Sequence, residues 1–440
     1  MAAGLRTLYS TLWWLALPAV LTRALVRGRR DPRYREHLAE RLGRWPGAAP
    51  CDLWFHAVSM GEVRALRVLI GLLLERWPAL RILMTVTTPT GRAAAEAAYP
   101  RSVEVRYLPY DLGALVGPVF ATRSPRALVL MEAELWPNLI ACANAHDVPV
   151  FLINARLSAR SARRHRKFAA LGRTMFAGIS QVLCQSQTDA ARFVRLGCRE
   201  AGVSVVGSLK FDRLSTAPAV HRVCEAERPL RLVLGCLRRG EESIVFDALA
   251  ALQTRLPGLE TVLIPRQVGD AAFFAKALAA RGIPVEVATQ ADFTKAKAGE
   301  VRIVDATGVL DAAYANARAA YVGGALVPLG GHSVADALAV GCPAVTGPFH
   351  HNNTVAVEAL TAVDALRVVD APESFADALA PWLAEAGLSA AAGAAGQAAL
   401  ASLAGASAAT LAALESAGLL PARESASAGA ERSAGAASSV

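Results

Sequence analysis

The chain has few lysines and no closely paired cysteines. Only five of its 440 residues are lysine, so the net charge of +9 comes mostly from arginine. The seven cysteines include no Cys-x-x-Cys pair, and an odd, scattered set argues for a reducing compartment and against a disulfide framework. His332, His350 and His351 lie close in sequence, but no carboxylate or thiolate at ligand spacing joins them. We therefore expect neither a metal site nor a bound cofactor.

The chain also lacks internal repeats and any recognisable nucleic-acid-binding module. Its length predicts two domains and a tail, and a hydrophobic fraction of 54% is enough for sizeable cores. The positive charge favours anionic partners, and without a recognition module we expect phosphates or a membrane surface rather than nucleic acid. The final stretch, rich in Ser, Gly and Ala, is predicted to be disordered.

The longest apolar run, residues 8–26, is interrupted by Pro18 and Arg23. It carries Trp13 and Trp14, which suit a membrane interface, and arginines follow it, so the downstream side should be cytoplasmic. No convincing cleavage pattern closes the segment. We predict that residues 1–30 form a membrane anchor, either interfacial or single-spanning; a buried core helix is the alternative.

Short apolar segments alternate with helical patterns through most of the chain, which predicts parallel sheets in an α/β fold. Strands are predicted at 52–57, 81–85, 126–131, 149–153 and 181–184, then at 230–234, 261–264, 285–287 and 302–304. Polar clusters follow the strand ends, where open α/β sheets bind ligands. We predict an N-terminal domain at 31–212, a linker at 213–228, a C-terminal domain at 229–385 and an Ala-rich helix followed by a disordered tail at 386–440.

The stretch 321–352 is dense in glycine. A short strand runs into Gly323-Gly324, and a second pair, Gly330-Gly331, precedes Ser333, which could N-cap a helix over 334–340. Another short strand is predicted at 344–345. A glycine pair before a helix lets backbone N–H groups approach an anion closely. Asp336 could then accept hydrogen bonds from a ribose. A tight strand–helix turn without a ligand explains the same spacing, and both interpretations stay open.

Taken together, these motifs resemble the bacterial 3-deoxy-D-manno-oct-2-ulosonic acid (Kdo) transferases, from the N-terminal anchor to about residue 370. The motifs that carry the resemblance are 56–62 (HAVSMGE), 132–138 (EAELWPN), 154–158 (NARLS) with 160–161, 207–212 (GSLKFD), 240–242 (GEE), 265–266 (PR) and 323–348. The resemblance implies a GT-B fold: two Rossmann-like domains facing a cleft. It also implies inverting, metal-independent transfer from CMP-Kdo to a lipid A precursor at the cytoplasmic face of the inner membrane.

The resemblance assigns catalytic roles to three residues. Glu62 would be the general base, because a sugar hydroxyl is a poor nucleophile until a positioned carboxylate takes its proton. Glu132 and Lys210 would act on the transition state, Lys210 as a positive charge for the departing phosphate. Each has a plainer explanation: Glu62 as a carboxylate at a helix N-terminus, Glu132 as a structural carboxylate beside Trp136, and Lys210 as a solvated linker lysine.

The resemblance also assigns substrate-binding residues to both halves. Those on the nucleotide side are Pro265, Arg266, Thr307, Gly308, Val309, Gly331, His332, Ser333, Val334, Ala335 and Asp336. Those expected near the acceptor phosphates are Arg156, Ser158 and Arg160, with Arg163, Arg164 and Arg166 as further candidates. Arg266 could instead be a surface arginine, and the last three arginines a solvated basic helix face.

The donor half departs from the family pattern, whereas the acceptor half matches it well. The family has Ser-Thr-His where this chain has Cys236-Leu237-Arg238-Arg239, and His where this chain has Gln267. The segments 307–309 and 333–336 also differ. Two alternatives therefore stay open: a glycosyltransferase of the same fold with another activated sugar, and a non-catalytic paralogue that binds lipid or a partner enzyme.

Overall fold

The computed structural model describes residues 2–29, 31–45, 47, 49–99, 102–167, 169–216, 228–288 and 295–421. The chain divides into two compact units. Unit 1 comprises the residues up to Arg213 together with the described residues from Gly405 onward, and unit 2 is Leu214–Ala404. Each unit contains one seven-stranded sheet, and every pairing between neighbouring strands is parallel. The predicted parallel α/β class is therefore confirmed.

The sheet of unit 1 has the order β3-β2-β1-β4-β5-β6-β7. Its strands are β1 (Leu53–His56), β2 (Ile82–Val86), β3 (Val103–Tyr107), β4 (Ala127–Met131), β5 (Val150–Ala155), β6 (Gln181–Cys184) and β7 (Val203–Val205). All residues of β1 are buried, with Phe55 in the core on one face of the sheet and Trp54 in the core on the other. Chain order reverses between β1 and β4, which makes their carboxyl ends a topological switch point.

The helices of unit 1 cover both faces of this sheet. They are α1 (Ala2–Arg27), α2 (Leu38–Arg41), α3 (Met60–Ala65), α4 (Arg67–Arg76), α5 (Pro89–Ala98), α6 (Gly113–Arg123), α7 (Pro137–Ala145), α8 (Ala159–Lys167), α9 (Ala169–Ala177), α10 (Gln187–Leu196) and α11 (Leu209–Thr216), with short 3₁₀ turns at Pro32–Tyr34 and Glu200–Gly202. The helices α3 and α4 meet at Leu66, which ends the first and begins the second. Because α3 begins at Met60, Glu62 lies in its first turn.

Unit 2 repeats the plan with the order β10-β11-β9-β8-β12-β13-β14. Its strands are β8 (Arg231–Leu237), β9 (Glu260–Pro265), β10 (Val285–Ala288), β11 (Val301–Val304), β12 (Ala319–Val322), β13 (Ala344–Thr346) and β14 (Leu366–Val368). Its helices are α12 (Glu242–Arg255), α13 (Ala271–Ala279), α14 (Leu310–Ala315), α15 (Val334–Ala339), α16 (Thr354–Thr361), α17 (Pro372–Ala384) and α18 (Ala386–Ser402). Here the switch point lies between β8 and β12.

The Ala-rich C-terminal region forms two helices, α18 in unit 2 and α19 (Ala406–Ser416) in unit 1. The Asp212 carboxylate accepts hydrogen bonds from the N–H groups of Gly405 and Ser407 at the start of α19, while Leu411 and Leu414 join the unit 1 core. The tail predicted to be disordered lies beyond residue 421, outside the described residues.

The predicted anchor segment is the helix α1, and one side of it packs on unit 1. The Tyr9 hydroxyl donates to the Asp111 carboxylate at 2.9 Å, and the Trp13 and Tyr110 ring centroids are 6.0 Å apart. The opposite side exposes large apolar side chains at Leu8, Leu12, Trp14, Leu15, Leu25 and Val26. One side of α1 thus packs on the protein, and the exposed apolar side chains form a stripe that the described residues leave uncovered. We call these exposed side chains the apolar stripe of α1.

By length and composition, one helical stretch in the described residues is apolar enough to cross a membrane, and it is Ala386–Ser416 rather than α1. That stretch is not one straight helix. Residues 403–405 interrupt it, with Gly405 at a φ of 118°, and its two parts pack in different units. We therefore interpret Ala386–Ser416 as two helices that pack on the two units, and not as a membrane-spanning helix.

Candidate functional site

Glu62 lies at the switch point of unit 1, just after β1. Its two carboxylate oxygens turn back onto the strand–helix connection: one accepts from the Val58 N–H at 2.7 Å and the other from the Ser59 hydroxyl at 3.2 Å. An acidic residue at the third helical position commonly caps a helix in this way. These contacts support the helix-terminus role and also fix the carboxylate at the carboxyl edge of the sheet.

Burial raises the pKa of Glu62 to about 7. The hydrogen bond from Val58 opposes this shift, while the carboxylates of Glu134 and Glu132 add to it by repulsion. A carboxylate whose pKa lies near neutrality can both take a proton and exist in its ionised form at pH 7, which is the property a general base needs.

Glu132 and Lys210, the two residues predicted to act on the transition state, form an ion pair. Lys210 Nζ lies 2.9 Å from Glu132 Oε1. Glu132 directly follows β4 with a φ of 50°, a left-handed conformation that is unusual for a residue with a side chain, and its N–H donates to the Ile153 carbonyl. Lys210 comes from α11 and is about half exposed, so its ammonium group remains accessible to an anionic group.

Glu134 belongs to the same group but was missed in the sequence. Its N–H closes a turn onto the Met131 carbonyl, and its carboxylate accepts from the Trp136 indole N–H at 2.9 Å. Burial raises its pKa, which the Trp136 hydrogen bond opposes and Glu132 reinforces. The signal was present as Glu-x-Glu on a turn after a strand. We call Glu62, Glu132 and Glu134 the carboxylate cluster.

The predicted acceptor-side residues separate into two groups. Arg156 follows β5 beside the cluster, since its N–H points to the Glu132 carbonyl at 3.4 Å. The Ser158 hydroxyl instead accepts from the Ser161 N–H and caps α8, on whose exposed surface Arg160 lies. The further candidates Arg163, Arg164 and Arg166 are exposed on α8 as well.

Unit 2 presents two arginines at the carboxyl ends of the neighbouring strands β8 and β9. Arg266 follows Pro265, the last residue of β9, and its N–H donates to the Leu237 carbonyl at 3.0 Å. Arg238 follows β8. Burial, and then the guanidinium groups of Arg266 and Arg238, lower the pKa of His332 to about 4. Two cations beside a neutral histidine form a surface suited to an anion, and Arg238 was not among the predicted site residues.

The two glycine pairs predicted from the sequence are hydrogen-bonded to each other. The Gly331 N–H donates to the Gly324 carbonyl at 2.8 Å, and the His332 N–H donates to the Gly323 carbonyl at 3.1 Å. A Cβ at Gly324 would stand 2.8 Å from the His332 ring. The expectation that Gly331 offers its N–H to an anion is therefore corrected, because that donor is already used inside the loop.

The remaining donor-side candidates lie around the start of two short helices. Ser333 is the N-cap residue of α15 but makes no capping hydrogen bond with its side chain, and α15 ends at Ala339, one residue earlier than predicted. Val334 and Ala335 are buried, and Asp336 is in the first turn. Thr307 and Gly308 are exposed, with Val309 buried, at the start of α14 after β11, the strand that neighbours β9.

Within the described ranges, no group of three or more His, Cys, Asp or Glu side chains could hold a metal ion. The positive groups at the two edges are arginine and lysine side chains. They are Lys210 in unit 1 and Arg238 and Arg266 in unit 2.

Solved structures of a glycosyltransferase and of a UDP-GlcNAc 2-epimerase share this fold. A glycosyltransferase from Rickettsia africae ESF-5 superposes with a TM-score of 0.56 at 9% identity, covering 83% of this chain and 98% of that one. UDP-GlcNAc 2-epimerase from Neisseria meningitidis gives a TM-score of 0.55 at 11% identity, covering 78% and 93% of the two chains. At such low identity the likeness establishes the fold alone, which confirms the predicted GT-B class.

Sequence comparison is more specific. The profile of the family described as 3-deoxy-D-manno-octulosonic-acid transferase (kdotransferase) matches residues 36–213. The 3-deoxy-D-manno-octulosonic acid transferase of Bordetella pertussis is 36% identical over 349 residues, 75% of this chain and 80% of that one. The enzyme of the same name from Haemophilus influenzae is 31% identical over 79% of this chain and 83% of that one. The chain therefore belongs to the 3-deoxy-D-manno-octulosonic acid transferase family of glycosyltransferases.

Proposed function

We propose that this protein transfers Kdo from CMP-Kdo to a sugar hydroxyl of a lipid A precursor, with inversion at the anomeric carbon. The observation that supports this most is Glu62, a partly buried carboxylate at a switch point whose pKa is raised to about 7. A base poised near neutrality suits the deprotonation of a hydroxyl at physiological pH. Membership of the transferase family supplies the substrate class.

The chemistry needs one proton acceptor and one set of positive charges. The acceptor oxygen forms a bond to the anomeric carbon of Kdo as the bond from that carbon to the CMP phosphate breaks. Glu62 takes the hydroxyl proton, and CMP leaves with the electron pair of the broken bond. Lys210 stabilises developing negative charge, while Glu132 holds its ammonium group in place at 2.9 Å.

The donor belongs to unit 2 in this proposal. Arg238 and Arg266 bind the phosphate of CMP-Kdo, because two guanidinium groups near one another provide several donors in the planar geometry that phosphate oxygens fit. The burial and neighbouring cations that keep His332 neutral at pH 7 leave one of its ring nitrogens able to accept a hydrogen bond from the donor.

The acceptor is a phosphorylated lipid, and the surface of unit 1 suits it. Arg156 lies beside the carboxylate cluster, and α8 adds exposed arginines. The apolar stripe of α1 inserts into the membrane interface while Tyr9 and Trp13 hold its other side on the protein. We propose an interfacial anchor, in which the helix lies on the cytoplasmic face of the inner membrane.

Incubation of the purified protein with CMP-Kdo and a tetra-acylated lipid A precursor tests the proposal. Mass spectrometry should show a lipid extended by Kdo, with stoichiometric release of CMP, and NMR of the product should show the inverted anomeric configuration. Absence of both products from folded protein would reject this donor and acceptor.

A second candidate is a transferase of the same fold that uses another activated sugar. The observation that favours it is the set of substitutions at the donor edge, where Arg238 and Arg239 stand in a segment that is Ser-Thr-His in the family pattern. Saturable binding of CMP, or turnover of CMP-Kdo, would exclude it. Turnover of a different nucleotide sugar in a mass-spectrometric screen would establish it.

A further inference from the structure

Glu241 is a fully buried carboxylate in unit 2. It is the N-cap residue of α12, four residues after β8 ends. Its Oε1 accepts from the Tyr321 hydroxyl at 2.7 Å and from the N–H groups of Gly324, Ala325 and Leu326 at 2.8, 3.0 and 3.0 Å. Its Oε2 accepts from the Arg238 N–H at 2.9 Å. Five donors thus converge on one side chain.

Three successive N–H groups that point to one spot form an anion-binding concavity of the kind that cradles phosphate in other proteins. Here the concavity of the loop 323–326 is filled by a carboxylate of the same chain. The loop therefore has no free N–H at Gly324, Ala325 or Leu326 with which to bind a substrate phosphate. This agrees with the proposed function, in which side chains such as Arg238 and Arg266 bind the donor phosphate.

The same carboxylate connects the segments that carry the donor-side residues. Through the Arg238 N–H it fixes the connection after β8, and through the loop 323–326 it fixes the segment of Gly331 and His332, which hydrogen-bonds to that loop. Space at this junction is tight, since a Cβ at Gly323 would stand 2.5 Å from the Cys236 carbonyl oxygen and 2.9 Å from Glu241 Oε2. A small change at Glu241 should therefore propagate to both segments.

We propose that Glu241 is a positioning residue for the donor site: its carboxylate takes the place of a phosphate in the loop 323–326 and so sets the positions of Arg238 and His332. This inference rests on the proposed function for its substrate, CMP-Kdo. The fixing of the loop by Glu241 is measurable without any substrate, so the two proposals can fail separately.

Two variants separate the contacts. Glu241→Gln keeps one oxygen for the loop but places an NH₂ group against the Arg238 N–H, where two donors face each other. Tyr321→Phe keeps the carboxylate and all four N–H donors and removes one hydroxyl. Glu358→Gln, an exposed change of the same chemistry in the same unit, is the matched control.

Hydrogen exchange followed by mass spectrometry tests the fixing of the loop. In Glu241→Gln, peptides covering 323–326 should exchange roughly 10-fold faster or more, because a hydrogen bond to a charged group is lost or weakened. Peptides of β9 and α13 should keep wild-type rates. Tyr321→Phe should show a smaller increase in the same peptides, and Glu358→Gln none. Unchanged exchange of the loop in a folded Glu241→Gln protein would overturn the proposal.

Calorimetry with CMP tests the link to the donor. Glu241→Gln should raise the Kd for CMP roughly 10-fold or more, and the KM for the lipid acceptor should stay unchanged. A residue that only supports folding would lower the number of binding sites per protein and leave the Kd as it is, and that result would overturn the positioning role. If Glu241→Gln does not fold, Tyr321→Phe provides the test. We expect this variant to raise the Kd for CMP by a few fold, and an unchanged Kd would contradict the proposal. Absence of CMP binding in the wild type would reject the donor, while loop exchange would still decide the role of Glu241.

Discussion

Glu62 and Glu241 occupy matching places in the two units, but they differ in burial and in the number of hydrogen bonds that they accept. Each lies just after the strand at the switch point, β1 or β8, and at the start of the next helix. Glu241 is fully buried and accepts five hydrogen bonds. Glu62 accepts two, and it lies near two other carboxylates that help to raise its pKa to about 7.

The difference shows what each carboxylate can do. A buried carboxylate that already accepts five hydrogen bonds has little capacity left for substrate, and it fixes its surroundings. A carboxylate that is partly desolvated and repelled by its neighbours takes up a proton readily. The same topological position therefore serves structure in unit 2 and, in our account, chemistry in unit 1.

The largest expected effect comes from removing the basicity of Glu62. Glu62→Gln should lower turnover roughly 10²–10⁴-fold. Glu62→Asp should also be slow, on the order of 10²-fold, because the carboxylate moves back by about 1 Å. Initial rates at saturating CMP-Kdo measure both. The acceptor KM should change little, and Glu75→Gln, on the neighbouring α4, should keep wild-type rates.

The ion pair of Lys210 with Glu132 gives the next effect. Lys210→Ala should lower kcat on the order of 10²-fold, because a preorganised positive charge is lost where negative charge develops. Lys210→Arg should recover part of this loss, since the charge is kept in another geometry. Equal kcat values for the wild type and the alanine variant would show that Lys210 is a solvated lysine.

Substitution of the two glutamates should change the stability of the protein in opposite directions. The pKa of Glu62 is raised from an ordinary value of 4.5 to about 7, so its ionisation weakens the fold as pH rises from 5 to 8. Glu62→Gln lacks this cost, and its Tm relative to the wild type should rise over that interval. Glu241→Gln should lower the free energy of unfolding by about 1–3 kcal/mol, because a buried donor loses its acceptor. Thermal melts at pH 5 and pH 8 measure both changes.

The apolar stripe of α1 should give a moderate effect on membrane binding. Leu12→Glu and Leu15→Glu, singly, should each weaken binding to anionic phospholipid vesicles by roughly 10-fold or more, because an exposed leucine contributes about 1.5–3 kcal/mol when it is buried in an apolar phase. Leu388→Glu, at an exposed leucine of unit 2, makes the same chemical change away from α1 and controls for added charge. Vesicle co-sedimentation of the full chain measures the change, and equal binding by all variants would argue against an interfacial anchor.

The smallest expected effect belongs to Glu134. Glu134→Gln removes one of the negative charges that raise the pKa of Glu62, so the acidic limb of the activity profile should move to lower pH by a fraction of a unit. The maximal rate should change little. A shift in the opposite direction, or none, would mean that the two carboxylates do not interact.

The strands that surround both switch points could be predicted because they are short, apolar and bounded by polar turns. Three strands were not predicted. β3 alternates charged with apolar residues at the sheet edge, while β7 and β14 have only three residues each. Such strands carry little apolar pattern of their own, and their pairing partners determine them.

The part of the candidate site that could be predicted is the part that stands in local sequence motifs. Glu62, Glu132 and Lys210 stand in motifs, and two of them are 78 residues apart but joined by one ion pair. The roles of Glu134 and Glu241 could not be inferred, because both depend on contacts with distant segments. Glu241 meets the loop 323–326 more than 80 residues away in the sequence. Sequence spacing showed the glycines of that loop but not the carboxylate that fills it.

The pH dependence of kcat/KM for the lipid acceptor, in the wild type and in Glu62→Gln, tests the central claim most directly. If Glu62 is the general base, the wild-type value should fall tenfold per pH unit below an apparent pKa near 7. The residual activity of Glu62→Gln should show no such limb. A wild-type profile that is flat between pH 5.5 and 8.5, or a limb that persists in Glu62→Gln, would contradict the account.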